Sequence, residues 1–114
     1  MVLSIHEVTE AIESEGRKLG KLVTEINDAA HKDAIAEIAY KSATAKARIQ
    51  FRLDHEKATV GATDDHAQVA AESEHLAHLV ARNQLMVLRD SLRATTARLD
   101  ALRSIITTVR AAGG

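Results

Sequence analysis

The second half of the chain carries apolar residues at steps that alternate between three and four. From Leu85 to Val109 this spacing places them on one narrow stripe of a helix, as in a coiled-coil seam. Charged residues occupy the flanking positions, as a solvated outer face requires. The pattern predicts a helix over about 64–112, ended by Gly113 and Gly114. The stripe consists of Leu85, Leu88, Leu92, Thr95, Leu99, Leu102, Ile106 and Val109.

The first half of the chain predicts another long helix, over about 4–57. Ser4 and Glu7 form a capping-box pattern, and apolar residues then keep helical spacing up to Ile26. Between 27 and 33 the register slips, which indicates a stutter or a bend rather than a break because no glycine or proline intervenes. The apolar stripe then resumes at Ile35, Ile38, Ser42, Ala45 and Ile49.

Two glycines, Gly16 and Gly20, fall inside this first helix. Each costs roughly 1 kcal/mol against alanine, so the sequence predicts a locally weak helix there. The alternative is close packing of another helix against the two glycines.

Residues 58–63 interrupt the apolar pattern and carry the only turn signal in the middle of the sequence. Thr63 is expected to cap the second helix, with Asp64 and Asp65 next to its positive N-terminal end. The predicted fold is therefore all-α. We expect one domain, a long antiparallel two-helix hairpin that forms a coiled coil and folds about Gly61.

The distribution of charge supports the antiparallel arrangement. Residues 1–39 contain four Lys or Arg against eight Asp or Glu, and residues 40–57 contain five against two. Residues 58–81 contain none against four, and residues 82–114 contain six against two. Folding about Gly61 brings blocks of opposite sign together. Because a surface ion pair contributes only ~0–1 kcal/mol, this matching sets orientation and register more than stability.

The apolar residues near the middle of the second helix spread around most of its circumference. A helix that is apolar on several faces needs neighbours on several faces, so we expect a homodimer or higher oligomer with a four-helix bundle at its middle. The alternative is a monomer that exposes Met86 and Val87. The expected interface residues are Leu76, Val80, Leu85, Met86, Leu88, Leu92, Leu99, Leu102, Ile106 and Val109.

Composition narrows the classes of function. Aromatic residues make up only 2% of the 114 residues, so the core must be aliphatic. The absence of cysteine excludes disulfides, a thiolate nucleophile and a cysteine metal site. A net charge of -1 provides no overall field that would attract nucleic acid or an anionic membrane. The sequence shows neither a signal peptide nor an apolar run of membrane-spanning length, which predicts a cytoplasmic protein without a membrane partner.

The sequence offers a weak pattern for metal binding. Glu72, His75 and His78 lie three residues apart on one helix face, as in carboxylate-bridged di-iron bundles. Such a site also needs carboxylates from the facing helix, but the predicted fold brings 46–49 opposite, and 40–53 contains no Asp or Glu. A polar helix face is the preferred interpretation, and we expect no metal, cofactor or small-molecule substrate. Because a slender bundle offers little concave surface, we also expect a non-enzymatic protein.

Two groups of basic side chains are candidates for binding a partner protein or nucleic acid. Each group shares a helix face, and the alternative role is to pair with the acidic blocks. Stacking on single-stranded nucleic acid is disfavoured because only Tyr40 and Phe51 supply rings, and no helix-turn-helix or zinc module is recognisable. The candidates are Lys41, Lys46, Arg48, Arg52, Arg82, Arg89 and Arg93.

Three segments resemble a group of small helical proteins of tailed bacteriophages and prophages. The segments are 39–48 (AYKSATAKAR), 58–61 (ATVG) and 98–104 (RLDALRS). The group shows a Tyr-x-x-Ala-Lys-Ala stretch, a Thr-Val turn and a Leu-Arg-x-x-Leu-x-Ala-Leu tail. This chain departs from the pattern in the spacing after Tyr40, and at 61–65, where the group has charged residues after its turn.

The resemblance implies a function for the whole chain. Proteins of that group are often encoded among recombination and replication genes. The implied function is a non-enzymatic phage or prophage accessory protein, an oligomeric coiled-coil module that binds a partner protein of recombination or replication. No catalytic residue is carried over. The alternatives are a helical dimer that binds nucleic acid directly through its basic stripes, and a structural spacer or assembly factor.

Overall fold

The computed structural model describes residues 4–113, which form three α-helices. Helix α1 is Ile5–Asp54, α2 is Val60–Ala70 and α3 is Glu72–Gly113. Residues 4–113 contain no strand, so the predicted all-α class is confirmed. Gly114, which was predicted to help end the last helix, lies outside the described residues. Across the described helices, none combines the length and the hydropathy that a membrane crossing requires.

Helix α1 begins with the predicted cap, since the Glu7 N–H donates to Ser4 Oγ at 3.1 Å. Gly16 and Gly20 are both helical, and a Cβ at either position would meet nothing within 4 Å. Within the chain, no other helix therefore packs closely against these glycines. They act only as weak points of the helix, because glycine loses more backbone entropy than alanine.

Helix α1 runs without a break through the segment in which the sequence predicts a slip of register. Ile26 is half-buried, and Ala29 and Asp33 are buried, so the steps of three and four continue on one face. The predicted slip is therefore wrong. Ile35, which the sequence analysis placed on the resumed stripe, is 54% exposed and lies on another face of the helix.

The chain reverses between Asp54 and Val60, earlier than the predicted turn at 58–63. Thr59 rather than Thr63 caps α2, because Thr59 is extended and its Oγ1 accepts the Ala62 N–H at 3.1 Å. Thr63 is fully buried and donates its hydroxyl to the Thr59 carbonyl at 2.8 Å. The two threonines are one helical turn apart, and the one that precedes the free N–H groups takes the cap.

The predicted second helix is divided at Ala71, whose φ of -101° and ψ of 16° depart from helical values. The Ala71 N–H nevertheless donates to the Ala67 carbonyl at 3.0 Å, and the Ala71 carbonyl accepts the His75 N–H at 2.9 Å. Helical hydrogen bonding therefore passes across Ala71, and α3 follows α2 after a local distortion.

The structure divides into two compact units, which we describe separately. Unit 1 holds the described residues 4–27 and 86–113, and unit 2 is Asp28–Leu85. Each unit contains part of α1 and part of the chain that follows the turn. The helices of unit 2 are antiparallel, because Asp33 contacts Arg82 whereas Arg48, later in α1, contacts Asp64, earlier in the returning chain.

Unit 1 has an aliphatic core. Val8, Leu99 and Ile106 are buried together with Thr95. Farther along α1, Leu22 lies beside Thr95. The stripe predicted from the second half of the sequence is therefore confirmed as a packed face: Leu85, Thr95, Leu99 and Ile106 are buried, and Leu88, Leu92, Leu102 and Val109 are half-buried.

Unit 2 has a core of small and polar side chains instead. Its buried residues include only one large aliphatic side chain, Leu85. Alanine and threonine bury less apolar area than leucine, so this core contributes less hydrophobic stabilisation for its length. The other buried residues of unit 2 are Ala29, Asp33, Thr44, Thr63, Ala67 and Ala71.

Candidate interaction surface

Helix α1 exposes a row of large aliphatic side chains within unit 2. Ile35, Ile38, Ile49 and Leu53 are between 54% and 70% exposed. We term these four residues the α1 outer stripe. Ile35 stands two residues after buried Asp33, which places it ~200° around the helix at 3.6 residues per turn. The α1 outer stripe therefore lies on the side of α1 that faces away from the packed helix.

Helix α3 exposes a second row within unit 2. Leu76, Leu79 and Val80 are between 49% and 61% exposed, and we term them the α3 outer stripe. Leu76 and Val80 stand two residues before and two residues after half-buried His78, so both lie ~160–200° from it. The α3 outer stripe therefore faces away from α1. The two outer stripes point to opposite sides of unit 2.

The sequence predicts that Ile35, Ile38 and Ile49 share the apolar stripe of helix one, but the structure places these three residues on the exposed face and not on the packed face. Periodicity shows that residues share a face, but it does not show which neighbour that face meets. The packed face of α1 in unit 2 instead carries Ala29, Asp33 and Thr44. The available signal was that Ala29 and Asp33 continue the spacing of Leu22 and Ile26, but their small size and polarity hid it.

A network of charged side chains crosses the packed face of unit 2. Arg82 Nε on α3 donates to Asp33 Oδ1 on α1 at 3.0 Å, and Arg82 NH2 lies 3.9 Å from Glu37 Oε2. His78 Nε2 lies 3.4 Å from the same Asp33 oxygen. Lys41 Nζ lies 3.1 Å from Glu37 Oε1. Asp33 therefore receives polar contacts from two consecutive turns of α3.

The charges of this network are mutually compensated. The hydrogen bond to Asp33 raises the pKa of Arg82, and the hydrogen bond from Lys41 is the main cause that lowers the pKa of Glu37. A buried carboxylate is costly without partners, so this network favours the helix register that supplies Arg82 and His78. The network thus acts as a register determinant of unit 2.

Unit 1 contains a smaller ion-pair cluster around buried Glu15. Arg98 Nε lies 3.3 Å from Glu15 Oε2, and Lys18 Nζ lies 3.2 Å from Glu15 Oε1. Hydrogen bonds from Lys18 and then Arg98 lower the pKa of Glu15. Across both units, the described ion pairs that join α1 to the returning chain have the polarity that the charge blocks predict.

Histidine rings stack on the two aromatic side chains of unit 2. The Tyr40 and His75 ring centroids are 4.6 Å apart, with 14° between the planes. Phe51 stacks on His66 at 4.5 Å and on His55 at 4.4 Å. Tyr40 and Phe51 therefore contribute to packing within the chain. Because histidine rings already stack on them, their ring faces are less available for nucleic-acid bases.

The histidines considered for metal binding face a different part of α1 from the one predicted. Tyr40 and Asp33 lie beside His75 and His78, so the expectation that 46–49 lies opposite these histidines is wrong. The error follows from placing the reversal at Gly61 instead of before Thr59. Potential ligand atoms of Asp33, Glu37 and His78 lie within 4.8 Å of one another. An ion there would have to displace Arg82 from Asp33 and Lys41 from Glu37, so the arrangement favours the ion-pair network.

The seven basic candidates divide into two groups. Four make ion pairs: Lys41 with Glu37, Arg48 with Asp64, Arg82 with Asp33 and Arg93 with Asp90. Among residues 4–113, no acidic partner lies within 4.0 Å of Lys46, Arg52 or Arg89. The alternative role of pairing with acidic residues therefore applies to the four residues that make ion pairs.

The ten residues expected at an oligomer interface fall into an exposed group and a packed group. Leu76, Val80 and Met86 are exposed by 49% to 61% and are available to another molecule. The other seven lie on the packed face of α3 within the chain. They are Leu85, Leu88, Leu92, Leu99, Leu102, Ile106 and Val109.

Comparison of the chain with protein-family models, curated proteins and solved structures finds no significant match. Its function must therefore be argued from its own residues.

Proposed function

We propose that this protein is a self-associating helical interaction module, a non-enzymatic accessory protein that binds a partner protein. The observation that carries the proposal is the arrangement of unit 2, which packs small and polar residues inside and exposes the α1 and α3 outer stripes. Exposure of these apolar side chains to water is unfavourable, and a neighbouring helix that covers them removes that exposure. Burying an Ile or Leu that is half exposed stabilises an assembly by roughly 1 kcal/mol per side chain.

Self-association supplies those neighbours without a second gene product. The dimeric four-helix bundle expected from the sequence is one such assembly, and a contact between different surfaces of successive copies is another. Exposed apolar rows at coiled-coil spacing are also the feature by which helical modules bind helices of other proteins. We also propose that the partner belongs to phage recombination or replication. This part of the proposal rests on the resemblance of 39–48, 58–61 and 98–104 to small helical phage and prophage proteins.

Sedimentation equilibrium tests self-association directly. A mass above the 12.3 kDa of one chain at micromolar concentration supports the proposal. A mass of one chain up to millimolar concentration would contradict it. The double variant Ile38→Asp with Leu76→Asp serves as the control, because both residues are exposed and their change should leave helicity intact while it lowers the mass.

Binding to a partner is tested by affinity capture from the native host, with the bound proteins identified by mass spectrometry. We expect a recombination or replication protein to be enriched by the wild type. The Ile38→Asp variant should lose it if the α1 outer stripe is the binding face. Equal capture by wild type and variant would contradict a role of that stripe in partner binding.

A second candidate function is direct binding of nucleic acid. It is favoured by Lys46 and Arg52, which make no ion pair among the described residues and share the basic block 40–57. Such binding must weaken steeply with salt, in proportion to the phosphates neutralised. Titration of a labelled duplex at rising salt, with Lys46→Ala and Arg52→Ala as variants, distinguishes this function from binding of a protein.

A further inference from the structure

We infer that the α1 outer stripe of one copy packs against the α3 outer stripe of the next copy, so that the protein assembles through two different surfaces. This inference rests on the proposed function, since it names the partner of the exposed stripes as a second copy of this chain. It specifies the contact that the proposal leaves open. Three observations on unit 2 support it: the position, the exposure and the flanking charge of the stripes.

Basic residues border the α1 outer stripe. Lys46 and Arg52 stand three residues before and three residues after Ile49, and Lys32 stands three residues before Ile35. Residues three apart are neighbours on a helix surface, so these cations lie beside the stripe. All three are exposed, and none has an acidic partner within 4.0 Å among residues 4–113.

One acidic residue borders the α3 outer stripe, and a second borders an exposed aliphatic residue of α2 just before it. Glu72 stands four residues before Leu76, on the adjacent turn. Asp65 on α2 stands four residues before Val69, an aliphatic residue that is 74% exposed. Both carboxylates are exposed, and neither has a basic partner among the described residues. Residues 58–81 contain no Lys or Arg. Arg82 stands three residues after Leu79 and also borders the stripe, but its charge is compensated by Asp33 and Glu37.

The charges beside the two outer stripes indicate which stripes can contact each other. Contact between two α1 outer stripes would place two basic flanks together, and contact between two α3 outer stripes would place two acidic flanks together. Flanking charges of like sign oppose coiled-coil pairing, and charges of opposite sign select partner and orientation. The α1 stripe of one copy against the α3 stripe of another is the only pairing of these two surfaces that matches charge.

The opposite placement of the stripes determines the kind of assembly. A closed four-helix dimer would need both stripes on one side of unit 2, whereas they point to opposite sides. A contact that uses different surfaces on its two copies does not close after two subunits. It continues to a ring or an open filament, so the wild type should exceed the mass of a dimer.

Mixing two variants tests this pairing. The first variant, I38D/I49D, disables the α1 outer stripe, and the second, L76D/V80D, disables the α3 outer stripe. All four side chains are at least 49% exposed, so circular dichroism should show unchanged helicity. Each variant alone should sediment at the 12.3 kDa of one chain, whereas an equimolar mixture should double that mass by forming a 1:1 complex.

The control variant T24D/T96D adds the same charge at two exposed positions of unit 1. It should assemble as the wild type does. If L76D/V80D alone still dimerises, the α1 stripes pair with each other, and if I38D/I49D alone dimerises, the α3 stripes do; either result overturns the inference but leaves the proposed function standing. Two monomeric variants that stay monomeric when mixed also overturn the inference. A wild type that is itself monomeric removes the proposed function as well.

Discussion

The two units of this protein use the same helices in opposite ways. Unit 1 hides large aliphatic side chains such as Val8, Leu99 and Ile106. Unit 2 hides alanine, threonine and Asp33, and it exposes nine of the fourteen exposed large hydrophobic side chains in the described part of the chain. The packed face of α1 continues from one unit into the other, so the hydrophobic pattern alone does not separate the two units.

The difference indicates where each unit obtains its stability. Burial of aliphatic area stabilises unit 1 within a single chain. Unit 2 has charged and small residues at the corresponding positions, so its own packing specifies register through Asp33, His78 and Arg82. Under the proposed self-association, neighbours that cover the outer stripes would add the hydrophobic stabilisation that the interior of unit 2 lacks.

The largest expected effect comes from truncating the core of unit 1. Leu99→Ala removes a side chain that is 4% exposed, so it should lower the free energy of unfolding by about 2–4 kcal/mol. Leu76→Ala in unit 2 removes a side chain that is 61% exposed, and in the monomer it should cost less than about 0.5 kcal/mol. Urea unfolding followed by circular dichroism at low protein concentration measures both. Equal costs would contradict the distinction between the units.

The next effect comes from the charged network of unit 2. Asp33→Ala should lower the free energy of unfolding by about 1–2 kcal/mol, because the hydrogen bond from Arg82 is lost while Arg82 itself stays partly solvated. Asp28→Ala changes an exposed aspartate of the same helix and is the matched control. A cost of Asp33→Ala no larger than that of Asp28→Ala would show that the network does not set the register.

Acidification should weaken both units in the same pH range. The pKa values of Glu15 and Glu37 are lowered by Lys18 and Lys41, respectively, together with Arg98 at Glu15 and Arg82 at Glu37. A carboxyl group whose folded pKa is lowered stabilises the fold above its unfolded pKa, about 4.3, and loses that contribution as pH falls through the folded value. Melting temperatures should thus be steady from about pH 7 to pH 5 and fall below about pH 4.

The variants Glu15→Gln and Glu37→Gln separate the two contributions to this pH dependence. Each should start with a lower melting temperature at neutral pH and should lose less of it on acidification than the wild type. Thermal unfolding of the three proteins between pH 3 and pH 7 gives the comparison. Parallel curves would show that neither ion pair contributes to acid sensitivity.

The smallest effect comes from the backbone of α1. Gly16→Ala and Gly20→Ala should each raise the free energy of unfolding by about 0.5–1 kcal/mol, because both sites are helical and open to solvent. Ala34→Gly, at an exposed site of α1 in unit 2, should have the opposite sign. Destabilisation by Gly16→Ala, measured by urea unfolding, would mean that another molecule approaches that glycine closely.

Amino-acid sequence alone determined the helical class, the polarity of the ion pairs and the packed stripe from Leu85 to Val109, because these follow from spacing and charge sign along one chain. It misplaced the reversal, since Thr59 and Thr63 both satisfy the local rules for a cap and only the chosen turn decides between them. An error of a few residues at the turn moves every residue of one helix along the other. That shift concealed the contact between Asp33 and His78.

Tertiary structure alone decided which stripe of α1 faces inward. The regular row that begins at Ile35 and the small, polar row through Ala29 and Asp33 are both compatible with a helix. The inward row is the one whose polar groups find partners on the returning helix, here Arg82 and His78. The contacts of a residue depend on which two segments pack together. The periodicity of one segment does not give that information.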